Sequence, residues 1–174
     1  MPAIRPSHHV GRGAYGGLVR FSISLPQRDT DGFDESGFKD YLARAVRLGD
    51  AFLGAGSSTT ASFTEAVKTV RQELGKQGKD PAGFTIGKRV YLMVDDDADR
   101  ARERVLAGLH RIYGEMPGIE AVPVSGTAID VVRGVREVID AGAEMVLLNP
   151  VGEHVAEDRD QMERLAADVI PQLS

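Results

Sequence analysis

The residues best placed to do chemistry form one run, Gly54-Ala55-Gly56-Ser57-Ser58-Thr59-Thr60. Two glycines let the backbone approach a ligand closely, and the four residues after them supply hydroxyls. If a helix begins at the end of this run, its first N–H groups point at whatever sits there and favour an anion, so a phosphate is the natural guest. An ordinary Gly-rich turn with a Ser/Thr helix cap has the same composition. The run lacks the Lys-Ser/Thr ending of a Walker A loop and does not follow the G-x-G-x-x-G pattern. Other candidates are weaker. His8-His9 have no further His or carboxylate at ligand spacing, so an exposed tail accounts for them. Asp95-Asp96-Asp97 offers a cation site or, because a helical pattern starts at Ala98, a helix cap. His154 lies between Glu153 and Glu157 in a polar loop, and His110 falls on the solvated side of a helix. No catalytic triad is visible.

The elements that must position these residues alternate in type. Met1 to about Gly17 reads as a disordered arm with no periodic apolar face. Val19, Phe21, Ile23 and Leu25 alternate with polar residues, which predicts a strand ended by Pro26. A helix opens at Asp34 and carries Phe38, Tyr41, Leu42, Ala45 and Leu48 on one stripe. The short run Ala51-Phe52-Leu53 leads into the Gly-Ser loop, and Phe63, Ala66, Val67, Val70 and Leu74 mark the next helix. Lys88 to Val94 is apolar on both faces, as for a buried parallel strand. This span puts Lys88-Arg89 at the strand's amino end, the end of such folds that serves stability. Ala98, Ala101, Val105, Leu109 and Ile112 predict a helix, and residues 114–126 read as a loop. Thr127 and Asp130 form a capping box that opens a further helix. Glu144 to Leu148 predicts the last strand, followed by Asn149-Pro150 and a final helix that ends at Pro171. The pattern is β-α four times, with one extra helix in the third connection, and it implies a parallel sheet with right-handed crossovers. Ligands in such folds sit at the carboxyl ends of strands, here near Ser24, the loop from Gly54 to Thr60, Asp95 and Asn149.

Composition narrows the function class. The chain has 174 residues, enough for a single core-bearing domain over 18–174. It holds no cysteine, which removes disulfides, thiolate catalysis and Cys-ligated metal centres. A net charge of −5 argues against nucleic acid as the main partner. The absence of cysteine also fits a cytoplasmic protein, no apolar stretch is long enough to span a membrane, and the N-terminus lacks the apolar core of a secretory signal.

Several stretches resemble the luciferase-like monooxygenase family. Arg20-Phe21-Ser22-Ile23-Ser24-Leu25-Pro26-Gln27, with a helix ending Tyr41-Leu42-Ala43-Arg44-Ala45, is similar to that family's opening strand and helix. Three stretches resemble its later half: Leu48 to Ser58, Lys88 to Asp97, and Ala141-Gly142-Ala143-Glu144-Met145-Val146-Leu147-Leu148-Asn149-Pro150. The resemblance implies a (β/α)8 ancestry and a flavin- or F420-dependent oxidoreductase or monooxygenase acting on a small organic substrate, with FMN or F420 as cofactor. By the same resemblance Gly54, Ala55, Gly56, Ser57, Ser58 and Thr59 hold the cofactor phosphate, while Ser24 and Asn149 line the site by position. The opening unit joins the later half near residues 44–50, so the middle strands are missing. A closed barrel of this kind needs roughly 250 residues. The expected fold is therefore a partial TIM-type barrel, α/β, of about four parallel βα units. A non-catalytic half-barrel that survives as an assembly or ligand-binding module is the alternative.

Such a sheet, with helices on one side only, leaves its other face bare, including half of the strand Val90 to Val94, and leaves two open edges. The expected remedy is a homodimer in which two half-barrels complete one barrel.

Overall fold

The structure is a computed structural model that describes residues 35–173. The expected arm, the strand at 19–25 and Ser24 lie outside the described residues. Helix α1 (Glu35–Leu48) leads to the short strand β1 (Ala51–Gly54), and α2 (Thr60–Gln77) follows. Then come β2 (Thr85–Val94), α3 (Ala98–Tyr113), β3 (Val124–Gly126), α4 (Ala128–Asp140) and β4 (Met145–Pro150). The chain closes with α5 (Val155–Arg164), a π turn over Leu165–Val169 and α6 (Ile170–Leu173).

All strand pairs are parallel, and β2 is the hub. Gly87 and Lys88 pair with both β1 and β4, which therefore flank β2 on opposite edges. Leu92 pairs with both Val124 and Pro150, so β3 shares the β1 edge, further along. The sheet is open, and the outer edge of β4 has no strand partner among the described residues. This is the parallel α/β sheet that the β-α alternation predicts, and the open half-barrel that the resemblance implies. The difference is β3. Residues 114–126 hold a three-residue strand where a loop was expected, too short to carry a period-two pattern.

The two faces of β2 feed two cores. Ile86, Val90, Leu92 and Val94 pack beneath α1, α2, α4 and the C-terminal helical segment, against Leu42, Val70, Leu74, Val135 and Val169. Tyr91 and Met93, on the other face, pack against Ala101, Val105 and Leu109 of α3 and against Ile119 and Val151. The bare face is thus smaller than the sequence implied. Because α3 folds over the carboxyl half, Tyr91 and Met93 are buried, and among the described residues the amino half is the part left open. There Leu53 is 40% exposed, Met145 48% and Leu147 43%.

Local chemistry fixes the element ends. Thr127 accepts from the Asp130 amide while the Asp130 carboxylate accepts from the Thr127 amide, so the expected capping box is formed. Asp97 caps α3 by accepting from the amides of Asp99 and Arg100, which is the capping reading of the acidic triplet. Gly78 ends α2 at φ 64°, a conformation that costs glycine little. Gln161 solves a problem at the end of β2. Pairing with β4 stops at Leu92, and the buried Gln161 amide then donates to the Val94 carbonyl and accepts from its N–H, at 2.9 and 2.8 Å. It replaces a strand for one residue.

Candidate functional site

The Gly-Ser loop leaves the carboxyl end of β1 and enters α2 at the cap residue Thr59, whose hydroxyl accepts from the Ser62 amide. The first turn of α2 carries no acidic residue, so its N-terminal field is not neutralised locally. Ser58 folds back, its amide and hydroxyl both donating to the Ala55 carbonyl.

Lys88 shapes this loop from below. Its side chain is 2% exposed, and its ammonium donates to the Ala55 carbonyl (2.5 Å), the Ser58 carbonyl (2.8 Å) and the Ser58 hydroxyl (3.0 Å). It also lies 5.8 Å from the centre of the Phe63 ring. Burial pushes the Lys88 ammonium down to about 8 from its ordinary 10.5. Three acceptors for three donors hold the charged form in place. Gly54 is required by the same packing, since a Cβ there would stand 2.6 Å from the Phe63 ring and 3.1 Å from the Lys88 chain.

The other side of the loop faces the open side of the sheet. A Cβ on Gly56 would meet Tyr91 Cε2 at 2.5 Å and Arg89 Cδ at 2.9 Å, so the loop backbone lies directly on these two side chains. The Tyr91 hydroxyl shares a 2.8 Å hydrogen bond with that of Tyr113, at the end of α3, and their rings meet edge-on. Burial first, then the Tyr91 hydroxyl, pushes the Tyr113 phenol up to about 12, while Arg89 and a hydrogen bond with Ser57 oppose the rise. Tyr113 is therefore a neutral hydrogen-bonding group at ordinary pH. Arg89 is partly buried, and no hydrogen bond or ion pair among the described residues engages its guanidinium.

The structure thus gathers Gly56, Ser57, Arg89, Tyr91 and Tyr113 at one place, with Ala55, Ser58 and Thr59 completing the loop. Asn149 is in register with Tyr91 on β4 and so shares its face. One expectation changes. Lys88 and Arg89 are not foundation residues at the start of a strand. The strand begins at Thr85, so Lys88 reaches the loop from the helix side and Arg89 lies beneath it on the open side. Tyr113 has no sequence signal near the loop, because α3 delivers it from more than fifty positions away.

The remaining candidates fall elsewhere. His154 is the exposed cap residue of α5, without a side-chain cap bond. His110 lies within 3.2 Å of the Gly114 carbonyl, one turn away on its own helix. Asp95 accepts from Arg100 and Arg104, and Asp96 pairs with Arg164. Hydrogen bonds from Arg100, the Asp97 amide and Arg104 hold the Asp95 carboxyl well below the usual carboxylate range. No group of three His, Asp or Glu suited to a metal occurs among the described residues, and no described helix is long and apolar enough to cross a membrane. A groove between α1 and α2, lined by Asp40, Arg44, Arg47, Glu73 and Gln77, lies on the helical layer, away from the loop.

The groups about the loop suit an oxyanion, since the Arg89 side chain runs beside Gly56, hydroxyls lie along the loop, and the helix that follows has no acidic residue in its first turn. Side chains carry no hydride, so redox chemistry at this place requires a bound cofactor.

No protein-family profile and no curated protein matches the chain. Solved structures do share its fold. An F420-dependent secondary alcohol dehydrogenase, in complex with an F420–acetone adduct, superposes with a TM-score of 0.61 at 18% identity, over 78% of this chain and 46% of its own. The F420-dependent tetrahydromethanopterin reductase of Methanopyrus kandleri gives 0.62 at 17%, over 78% and 49%. The monooxygenase RslO1 of Streptomyces bottropensis gives 0.61 at 14%, over 78% and 46%. The chain therefore spans about half the length of these proteins, and at such identity the likeness shows the fold: a parallel α/β half of a TIM-type barrel.

Proposed function

We propose that this chain is a luciferase-like oxidoreductase that binds a phosphate-bearing flavin or deazaflavin, FMN or F420, and serves redox chemistry on a small organic substrate. The observation that carries this reading is Arg89. A partly buried cation without a hydrogen bond or ion pair among the described residues lies against the backbone of a Gly-Ser loop at a helix start. A cofactor phosphate would supply the missing anion. The Gly56–Thr59 backbone, the Ser57 hydroxyl and Arg89 would hold it, and Lys88 would keep the loop in shape from behind. The cofactor, once bound, would transfer the hydride. The chain's own contribution is to anchor the phosphate, orient the ring system through Tyr91, Tyr113 and Asn149, and keep the loop dry on the Lys88 side. The shared fold with F420-dependent and monooxygenase structures supports the same class.

The second reading, a half-barrel that binds a ligand or assembles without catalysis, is favoured by the chain's span of about half of those proteins. Titrating FMN and F420 into the purified chain, followed by cofactor fluorescence, separates the cases. Saturable binding of one, with reduction of the bound cofactor by a donor, supports the oxidoreductase. Saturable binding without turnover supports the second reading. No binding of either contradicts both the cofactor and the site.

A further inference from the structure

We propose that Lys88 is a positioning residue for the cofactor phosphate, an inference that rests on the phosphate site proposed above: by pinning two loop carbonyls from behind, its ammonium turns the Gly56 and Thr59 N–H groups toward the anion, so that phosphate affinity depends on the charge of Lys88. Peptide geometry requires this direction. No cis peptide occurs among the described residues, and in a trans peptide the C=O and the N–H of the next residue point to opposite sides. The Ala55 carbonyl accepts from the Lys88 ammonium at 2.5 Å and the Ser58 carbonyl at 2.8 Å. The N–H groups in those two peptide planes belong to Gly56 and Thr59, so both point away from Lys88. Neither donates a hydrogen bond among the described residues. Successive residues of β2 face opposite sides of the sheet. The side opposite Lys88 therefore carries Arg89 and Tyr91, the two side chains that lie against Gly56.

The two carbonyls depend on Lys88 to different degrees. The Ser58 amide and hydroxyl also donate to the Ala55 carbonyl, at 3.2 and 2.8 Å, and close that turn by themselves. Among the described residues, Lys88 is the group that holds the Ser58 carbonyl. Loss of the charge leaves two donors for three acceptors, and the Ser58–Thr59 plane is the first to be freed. The surroundings of the ammonium bring no second titrating group. β1 presents Gly54 and β4 presents Val146 in register with Lys88, α2 presents the Phe63 ring, and the loop presents Ser58. Burial lowers the Lys88 ammonium to about 8, so its charge is lost as the pH rises through that value. On the anion's side, Arg89 stays charged throughout, and the Tyr113 phenol, pushed up to about 12, stays neutral. A phosphomonoester loses its second proton near pH of about 6 and is largely a dianion above neutrality. Lys88 is thus the group at the loop whose charge changes between pH 7 and 9.5.

The test is the ratio of FMN to riboflavin affinity for the full chain, measured by flavin fluorescence at pH 7.0 and pH 9.5. The two ligands share one ring system, so its own ionisation cancels in the ratio. The native ratio should fall about threefold or more from the lower pH to the higher, the size of one lost hydrogen bond. Lys88→Met and Lys88→Gln, the second of which keeps N–H donors without the charge, are the variants, and circular dichroism shows whether each folds. In a folded variant the ratio should be low at pH 7.0 and flat with pH. Lys68→Met, at an exposed lysine of α2, should behave as the native protein. In amide NMR spectra of the native protein at pH 7.0, FMN should move the Gly56 and Thr59 signals and riboflavin should not. These native measurements stand even if neither Lys88 variant folds. A native preference for FMN that is constant with pH, or that survives in a folded Lys88 variant, overturns the inference and leaves the phosphate site standing. Gly56 and Thr59 signals that FMN leaves in place do the same. FMN bound no more tightly than riboflavin at pH 7.0 overturns the phosphate site and the inference with it, so the two failures are distinguishable.

Discussion

Lys88 is the residue with most leverage on the loop. Its ammonium is buried and holds two carbonyls and a hydroxyl in place. Its folded value near 8 lies below the ordinary 10.5. Below pH 8 both folded and unfolded chains carry the proton, and the burial cost is fully present. Between about 8 and 10.5 the unfolded chain binds a proton that the folded chain has released, so stability rises with pH across that window. The rise attributable to Lys88 should be about 1–3 kcal/mol. Urea melts at pH 7.5 and 9.5 should show it in the native protein, and Lys88→Met should flatten it. An unchanged slope in the variant would mean that the amine does not titrate there. The neutral amine has two donors for three acceptors, so the loop should also loosen in the same window. At the site itself, Gly56→Val would drive a side chain into Tyr91 and Arg89, and Ser57→Asp would set a carboxylate against the incoming phosphate. Each should weaken FMN or F420 by about 1–3 kcal/mol in a fluorescence titration. Wild-type affinity in both would move the site elsewhere.

At the scale of elements, the end of β2 is held by β3 on one edge and, beyond the last pair with β4, by side chains from α3 and α5. Gln161 satisfies both backbone groups of Val94, and Gln161→Leu leaves both buried without partners. The expected loss is about 1–3 kcal/mol by chemical denaturation, since unpaired buried polar groups keep their full desolvation cost. Asp95 ties Arg100 and Arg104 to the same strand end. Its carboxyl is held below its ordinary 3.8, so its contribution is complete above about pH 4 and is lost as the pH falls below that. Asp95→Asn should cost about 2 kcal/mol at neutral pH, less than a fully buried pair because Arg100 is half exposed. It should also remove part of the acid-range slope, which melts at pH 3 and pH 6 would show. These elements also mark how far the sequence could be read. The order of helices and strands was legible because apolar spacing differs between the two, and the Asp97 and Thr127 caps were legible because short oxygen-bearing side chains preceded clear helical stripes. β3 was not legible, because Val124-Ser125-Gly126 is too short to show a period. Arg89 and Tyr113 were missed for a tertiary reason. The start of β2 at Thr85 lies in a Gly-containing stretch that masks strand alternation, and only the fold of α3 over the sheet brings Tyr113 to Ser57. Gln161 has no sequence signal, since nothing local in a polar helix shows that a strand end lacks a neighbour.

At the scale of the molecule, the described residues form an open half of a barrel, one sheet face of which is covered by α3 over its carboxyl half and exposes Leu53, Met145 and Leu147 over its amino half. The homodimer expected from the sequence would make melting depend on concentration. Raising the protein concentration a hundredfold should shift Tm upward by several degrees, because mass action stabilises only the associated state. A Tm constant over that range would indicate a unimolecular fold. The central claim, however, is the phosphate site at Gly56, Ser57 and Arg89, and the most direct test compares two ligands that differ only in a phosphate. FMN and riboflavin should be titrated into the native protein and into Arg89→Met. FMN should bind the native chain at least tenfold more tightly than riboflavin, about 1.4 kcal/mol or more, and the advantage should largely disappear in the variant. Equal affinities for the two ligands in the native protein, or an advantage for FMN that Arg89→Met leaves intact, would contradict it.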